Sequence, residues 1–225
     1  MRTGPEKGAV RATGALLLLA GLLPIAGVVD PRLWDLFTAS PRHALALLPD
    51  RLGAWQTGMW LLMAGTAVSI AATAALTRLL DTTAARCALA LFTTGSALLL
   101  VSYSFDLSVT TWAARDAGPH VPGWYWPLNS WSASLFAGSY GLLTSTALLV
   151  YGGAVVRTRV LRRWTGWVLA AGGALLLAQF AAFGSEAPAP QFVALAVTGA
   201  LALVPRRAAV REPARTTGTP TTTHV

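Results

Sequence analysis

Long apolar runs constrain this chain more than any other feature of its sequence. Six can be read: Ala12 to Val29, Trp55 to Thr77, Cys87 to Phe105, Trp131 to Val156, Trp164 to Phe183, and the shortest, Ala189 to Val204. An α-helix needs about 17–25 mostly apolar residues to cross the hydrocarbon core of a bilayer. Inside that core every backbone N–H and C=O must be paired within the protein, so runs of this kind must be helices. Residues are 54% hydrophobic and 12% charged, against about a quarter charged in an average soluble domain. The sequence therefore predicts an all-α fold, a polytopic transmembrane helix bundle of six spans over residues 12–204. A cytoplasmic N-terminal tail (1–11) precedes it and a disordered, Thr-rich cytoplasmic tail (205–225) follows it. A signal peptide is the competing reading of the first run. No small-x-small cleavage site stands out, and five more runs follow. Pro24 removes one helical N–H from that run and predicts a kink.

The basic residues test the count. With six spans, both ends and the alternate turns share one side. That side collects Arg2, Lys7, Arg11, Arg78, Arg86, Arg157, Arg159, Arg162, Arg163, Arg206, Arg207, Arg211 and Arg215. The other side has Arg32, Arg42, Arg51 and Arg115, with six of the nine acids: Asp30, Asp35, Asp50, Asp106, Asp116 and Glu186. The positive-inside rule then places both termini in the cytoplasm, in a multi-pass protein of the inner (plasma) membrane. The net charge of +8 comes in short groups between apolar runs, so nucleic acid is not an expected partner. "RTRVLRR" sets Arg157, Arg159, Arg162 and Arg163 where anionic lipid headgroups lie.

"PGWYWPLNSW" (122–131) packs four aromatic rings into what reads as an outer connection. Trp55, Trp131, Trp164 and Trp167 each sit at the end of a run, as an interfacial belt requires. Trp124, Tyr125 and Trp126 are adjacent and cannot all face lipid. With Pro119, Pro122 and Pro127 they predict a stiff loop folded over the outer end of the bundle. One of the two tryptophans should then be shielded from lipid. On the other outer segment, Ser40 and Pro41 have the form of an N-cap and first helical residue, starting a short interfacial helix that Pro49 ends.

Small residues mark where helices approach closely in a membrane. Gly65, Ser69, Thr73 and Thr77 form one stripe. Ala137, Gly141 and Ser145 form a second, and Ser130, Ser134 and Gly138 a third. Gly152-Gly153 and Gly172-Gly173 add further points. Such faces can also support homo- or hetero-oligomers. "TRLL" (77–80) and "TRVL" (158–161) raise a duplicated hairpin against chance similarity.

The middles of the runs hold no ionisable residue, which argues against a carboxylate proton relay. Asp106, after "YSF", is the one candidate catalytic residue. A carboxyl group among aromatic rings can act as a general acid, and Trp124, Tyr125 and Trp126 are the candidate substrate-binding residues. Asp106 is partly buried if the third run continues through "LSVTTW"; the bland alternative is an exposed aspartate at a helix end. His43, His120 and His224 are far apart, and no metal or cofactor is expected. Cys87 reads as a small core residue.

"LFAGSYGLLTSTALLVYGGAVVRTRVLRRWTGWVLAAGG" (135–173) resembles a group of bacterial six-span membrane proteins, common in actinobacteria, of the domain-of-unknown-function type. The resemblance runs more loosely over residues 9–205. It implies the membrane fold and carries no catalytic residue with it. Three functions are therefore compatible with the sequence. One is a structural or accessory membrane protein. Another is a membrane-embedded enzyme acting on an isoprenoid or lipid-like substrate, analogous to a terpene cyclase. The third is a small transporter. An outer cavity containing Asp106 favours the enzyme, and a filled core favours the structural role.

Overall fold

The computed structural model describes residues 7–117, 120–183 and 188–204. The tail 205–225 with His224, and also Arg2, Pro119 and Glu186, lie outside them. The described chain is helical: α1 (Lys7–Val28), α2 (Pro31–Thr38), α3 (Pro41–Leu47), α4 (Leu52–Leu80), α5 (Thr83–Phe105), α6 (Tyr125–Ser134), α7 (Gly141–Thr158), α8 (Arg163–Phe183) and α9 (Ala189–Leu203). A 3₁₀ turn at 48–51 joins α3 to α4. Wider π-helical turns extend α5 over 106–110 and 113–117, and join α6 to α7 over 135–140.

Five continuous segments are long and apolar enough to cross a membrane: Lys7–Val28, Pro41–Leu80, Thr83–Asp116, Tyr125–Thr158 and Arg163–Phe183. The sixth expected span is α9, with 15 residues. At 1.5 Å per residue it is about 22 Å long, short of a hydrocarbon core of roughly 30 Å. It is nevertheless an integral wall of the bundle. The long helices form a closed ring in which α1 packs on α4, α4 on α5, α5 on α7, α7 on α8, α8 on α9, and α9 back on α1.

Neighbours in the ring run antiparallel, and glycines set the spacing. A β-carbon on Gly152 (α7) would lie 2.6 Å from the carbonyl oxygen of Gly166 (α8), and one on Gly166 would lie 2.7 Å from that of Gly152. Gly21 on α1 faces the backbone of Phe192 and Ala196 on α9, while Gly199 on α9 faces Gly14 and Leu18 on α1. Neighbours this close leave no room for side chains between backbones, as expected where lipid and Leu are equally apolar. On α8, Gly172 meets Ala194 of α9 and Gly173 meets Ser145 and Leu149 of α7, so adjacent glycines serve two different neighbours.

Two of the three small-residue stripes follow this logic. Gly65, Ser69, Thr73 and Thr77 are all buried, and so are Gly141 and Ser145. The third does not: Ser130 and Ser134 are exposed, and nothing lies near Gly138. Gly153 is likewise open. Cys87 is exposed on α5 rather than in the core. The "TRLL" and "TRVL" stretches differ in backbone. The first is helical to Leu80, with Asp81 left-handed after it (φ 43°). In the second the helix stops at Thr158 and Arg159 itself is left-handed (φ 56°).

The bundle has two halves. At the end carrying the α4–α5 and α7–α8 turns, Leu17, Leu76, Phe92, Leu148, Tyr151, Leu169, Leu176 and Leu195 fill the centre of the ring. Lys7, Arg11, Arg78, Arg86, Arg157, Arg159, Arg162 and Arg163 stand at this end, with Trp164 and Trp167 exposed beside them. At the opposite end, α2 and α3 cover the ring. Asp30 caps α2 through its carboxylate, which accepts the Arg32 N–H at 3.0 Å, with Pro31 at the first helical position. The Arg32 guanidinium hydrogen-bonds the same carboxyl and holds it below its ordinary pKa. Ser40 precedes α3 as expected but makes no side-chain cap bond. As expected, α3 stops at Leu47, just before Pro49. Pro49 falls in the 3₁₀ turn, and the chain continues into α4.

Candidate ligand-binding site

Beneath α2 and α3 this second half of the ring surrounds a cavity of about 550 Å³. Its walls come from Ile25 and Val28 of α1, Trp55, Met59 and Leu62 of α4, the end of α5, the inward face of α6 (Tyr125, Asn129, Ser132 and Ala133), and Phe192 of α9. Leu36, Phe37, Leu45 and Leu48 close it from above. Most of this lining is apolar. Polar groups enter from one side only, through α5 and α6.

Asp106 is the single carboxyl group among the cavity's described lining residues. The third apolar run ends at Phe105, and the helix continues past Asp106, through "LSVTTW" and the two π-helical turns, to residue 117. Asp106 thus lies within a continuous helix and is half-buried, not exposed at a helix end. Thr110 donates its hydroxyl to the Asp106 carboxyl at 3.2 Å. The backbone carbonyl of Asp106 accepts the indole N–H of Trp55 at 3.4 Å and the hydroxyl of Thr111 at 3.2 Å. A π turn widens the helix by one residue and loosens its bonding, which leaves a carbonyl free to take such donors. Among the described residues no basic side chain pairs with Asp106.

The polar wall extends from there. Tyr125 donates weakly to Thr110 Oγ1 at 3.4 Å or to Asn129 Oδ1 at 3.5 Å. Ser102 and Ser132 share a hydrogen bond of 2.9 Å between α5 and α6. Tyr103, one turn before Asp106, is buried, and its hydroxyl has no protein partner among the described residues. Deeper in this half, Tyr140 donates to Gln191 Oε1 at 2.5 Å, which ties α9 to the π turn before α7.

The aromatic stretch is not a loop. The turn ends at Trp124, and Tyr125, Trp126 and Trp131 belong to α6. Helical geometry separates the three adjacent rings. Tyr125 points inward and is buried against the cavity. Trp126 is half-buried behind it, edge-on to the Tyr125 ring at 5.0 Å, with the Arg42 guanidinium 5.3 Å from its own centroid. Trp124 faces away, stacked on Trp112 at 5.7 Å and half exposed. Of the residues singled out in the sequence, Asp106 and Tyr125 therefore share the cavity, Trp126 supports it from behind, and Trp124 lies outside it. Trp55 leaves the expected belt as well, since it is buried beneath α2 and α3.

Tyr103, Thr110, Asn129 and Ser132 carry no sequence signal of their own. Only the i, i+3 and i+4 relation of Tyr103, Asp106 and Thr110 on one helix face pointed to them, and it requires the helix to continue past Asp106. No three His, Cys, Asp or Glu side chains among the described residues come together as a metal-binding group. An apolar cavity of this size, with a few polar groups converging on one wall, has the form of a small-molecule site. Comparison of the chain with protein-family models, with curated proteins and with solved structures found no match in any of the three.

Proposed function

We propose that this chain is a plasma-membrane protein that crosses the bilayer six times, with α9 as the short sixth span and both termini cytoplasmic. Its outer half takes up an isoprenoid or lipid-like molecule. The cavity of about 550 Å³ beneath α2 and α3 carries this reading. Small cavities in a packed bundle cost stability, so a large one with one carboxyl group and several hydroxyls on a single wall has the character of a binding site. The short α9 fits a six-span topology because it stands beside α1 along much of that span, and flanking residues or local thinning make up the missing length. Arg157, Arg159, Arg162 and Arg163 at the opposite end suit contact with anionic headgroups.

The filled half of the ring supports a purely structural role but leaves the hollow half without a purpose. It also weighs against a transporter, because the Thr77–Tyr151 bond and the surrounding leucines pack that half closed. Binding is tested with a saturable apolar fluorescent probe on the full chain in lipid nanodiscs. Met59→Trp, which fills the cavity, should remove the saturable signal. An unchanged signal would place the probe elsewhere.

One further observation favours chemistry at this site. Six aromatic rings line the cavity with Asp106: Phe37, Trp55, Tyr103, Tyr125, Phe136 and Phe192. Ring faces stabilise cations, and a protonated carboxyl can start a carbocation rearrangement and take the proton back at its end. Such an isomerisation needs no cofactor. A product of unchanged mass from an isoprenoid substrate, absent with Asp106→Asn, is the result this reading expects.

A further inference from the structure

We infer that the cavity selects a hydroxyl-headed ligand, its oxygen held between the Tyr103 hydroxyl and the Asp106 carboxyl and its chain lying toward Met59, Leu62 and Phe192. This rests on the cavity being a ligand site. Tyr103 is buried, lines the cavity, and has a hydroxyl without a protein partner among the described residues. A buried hydroxyl is rarely left unpaired. Asp106 lies one turn further along the same helix face and lines the same cavity. Its carboxyl receives one side-chain hydrogen bond, from Thr110, so acceptor capacity remains.

Together the two residues offer a donor and an acceptor on one wall of the cavity. A hydrocarbon satisfies neither, and an ether or ketone satisfies only the donor. An alcohol satisfies both, because its oxygen accepts from Tyr103 while its proton goes to Asp106. The opposite wall, from Ile25 to Met59, Leu62 and Phe192, offers only apolar contact. At about 30 Å³ for each water-sized group, the cavity holds on the order of 18 non-hydrogen atoms. An isoprenoid alcohol the size of farnesol meets both conditions.

The test compares farnesol, farnesyl methyl ether and farnesylamine by calorimetry on the full chain in nanodiscs, with empty nanodiscs as reference. Farnesol should bind about tenfold more tightly than the ether, because the ether cannot donate to Asp106. Tyr103→Phe should weaken both by a similar factor, and Asp106→Ala should remove the difference between them. If Asp106→Ala does not fold, the probe pair on the native chain and Tyr103→Phe still decide. Equal affinity for alcohol and ether would overturn the inference and leave the apolar site standing. Binding of none of the three probes would overturn both. An amine that outbinds the alcohol would make this a cation site, and unchanged binding by Tyr103→Phe would mean that water serves that hydroxyl. Either result also sinks the inference.

Discussion

The hydroxyls of Thr77 and Tyr151 lie 2.7 Å apart, joining α4 to α7 across the helix ring. Tyr151 also reaches the Thr73 carbonyl at 3.3 Å, and Thr77 keeps its own bond to that carbonyl at 2.9 Å. This contact lies within the filled half, close to the α4–α5 turn. Tyr151→Phe should destabilise the folded chain by about 0.5–1.5 kcal/mol, the range for one hydrogen bond in a membrane protein. Thr77→Val should cost a similar amount. The double variant should cost less than the sum, which a double-mutant cycle from unfolding in mixed micelles will measure.

Gly152 and Gly153 are neighbours in sequence and opposites in structure. Gly152→Ala should destabilise the chain by about 1–3 kcal/mol, because its methyl group meets the Gly166 backbone, which cannot move without separating two helices. Gly153→Ala should be neutral or stabilising by up to about 1 kcal/mol, since the space is open and Ala is the better helix former. Thermal unfolding in detergent separates the two. A loss at Gly153 equal to that at Gly152 would contradict the packing described.

Asp106→Asn should not lower the melting temperature. No ion pair is lost among the described residues, and an amide side chain can still accept from Thr110. If Asp106 serves a ligand, it is kept at some cost in stability, as functional residues often are. A fall of several degrees would instead make Asp106 a structural residue.

Trp124 and Trp126 should respond differently to brominated lipids. Trp124 is half exposed on the outside of the bundle, whereas Trp126 is covered by Tyr125 and Arg42. With Trp126→Phe the strongly quenched component should persist. With Trp124→Phe it should shrink. Equal quenching of both would show that α6 is not seated as described.

Reporter fusions after Pro205 and within residues 119–127 should give opposite readouts if α9 spans the bilayer and both termini are cytoplasmic. Identical readouts would leave α9 as a half-membrane helix packed between α1 and α8.

The helical, membrane-type fold was legible in the sequence because it rests on local quantities. Run length, apolar content and the need to pair every backbone group in hydrocarbon are properties of contiguous residues. The stripe from Gly65 to Thr77 was legible for the same reason: a four-residue spacing maps onto one helix face wherever the helix goes. Asp106 also stood out, as a carboxyl among aromatic residues. The tertiary structure decided the rest. Past Asp106 the helix continues through π turns, and there the Asp106 carbonyl takes the indole N–H of Trp55, which is distant in sequence. Which of Trp124, Tyr125 and Trp126 faces inward depends on where α6 begins, and that is set by its packing on α5. The cavity could not be read at all, because a void is a property of how five helix ends and a covering helix pair fail to fill the space between them.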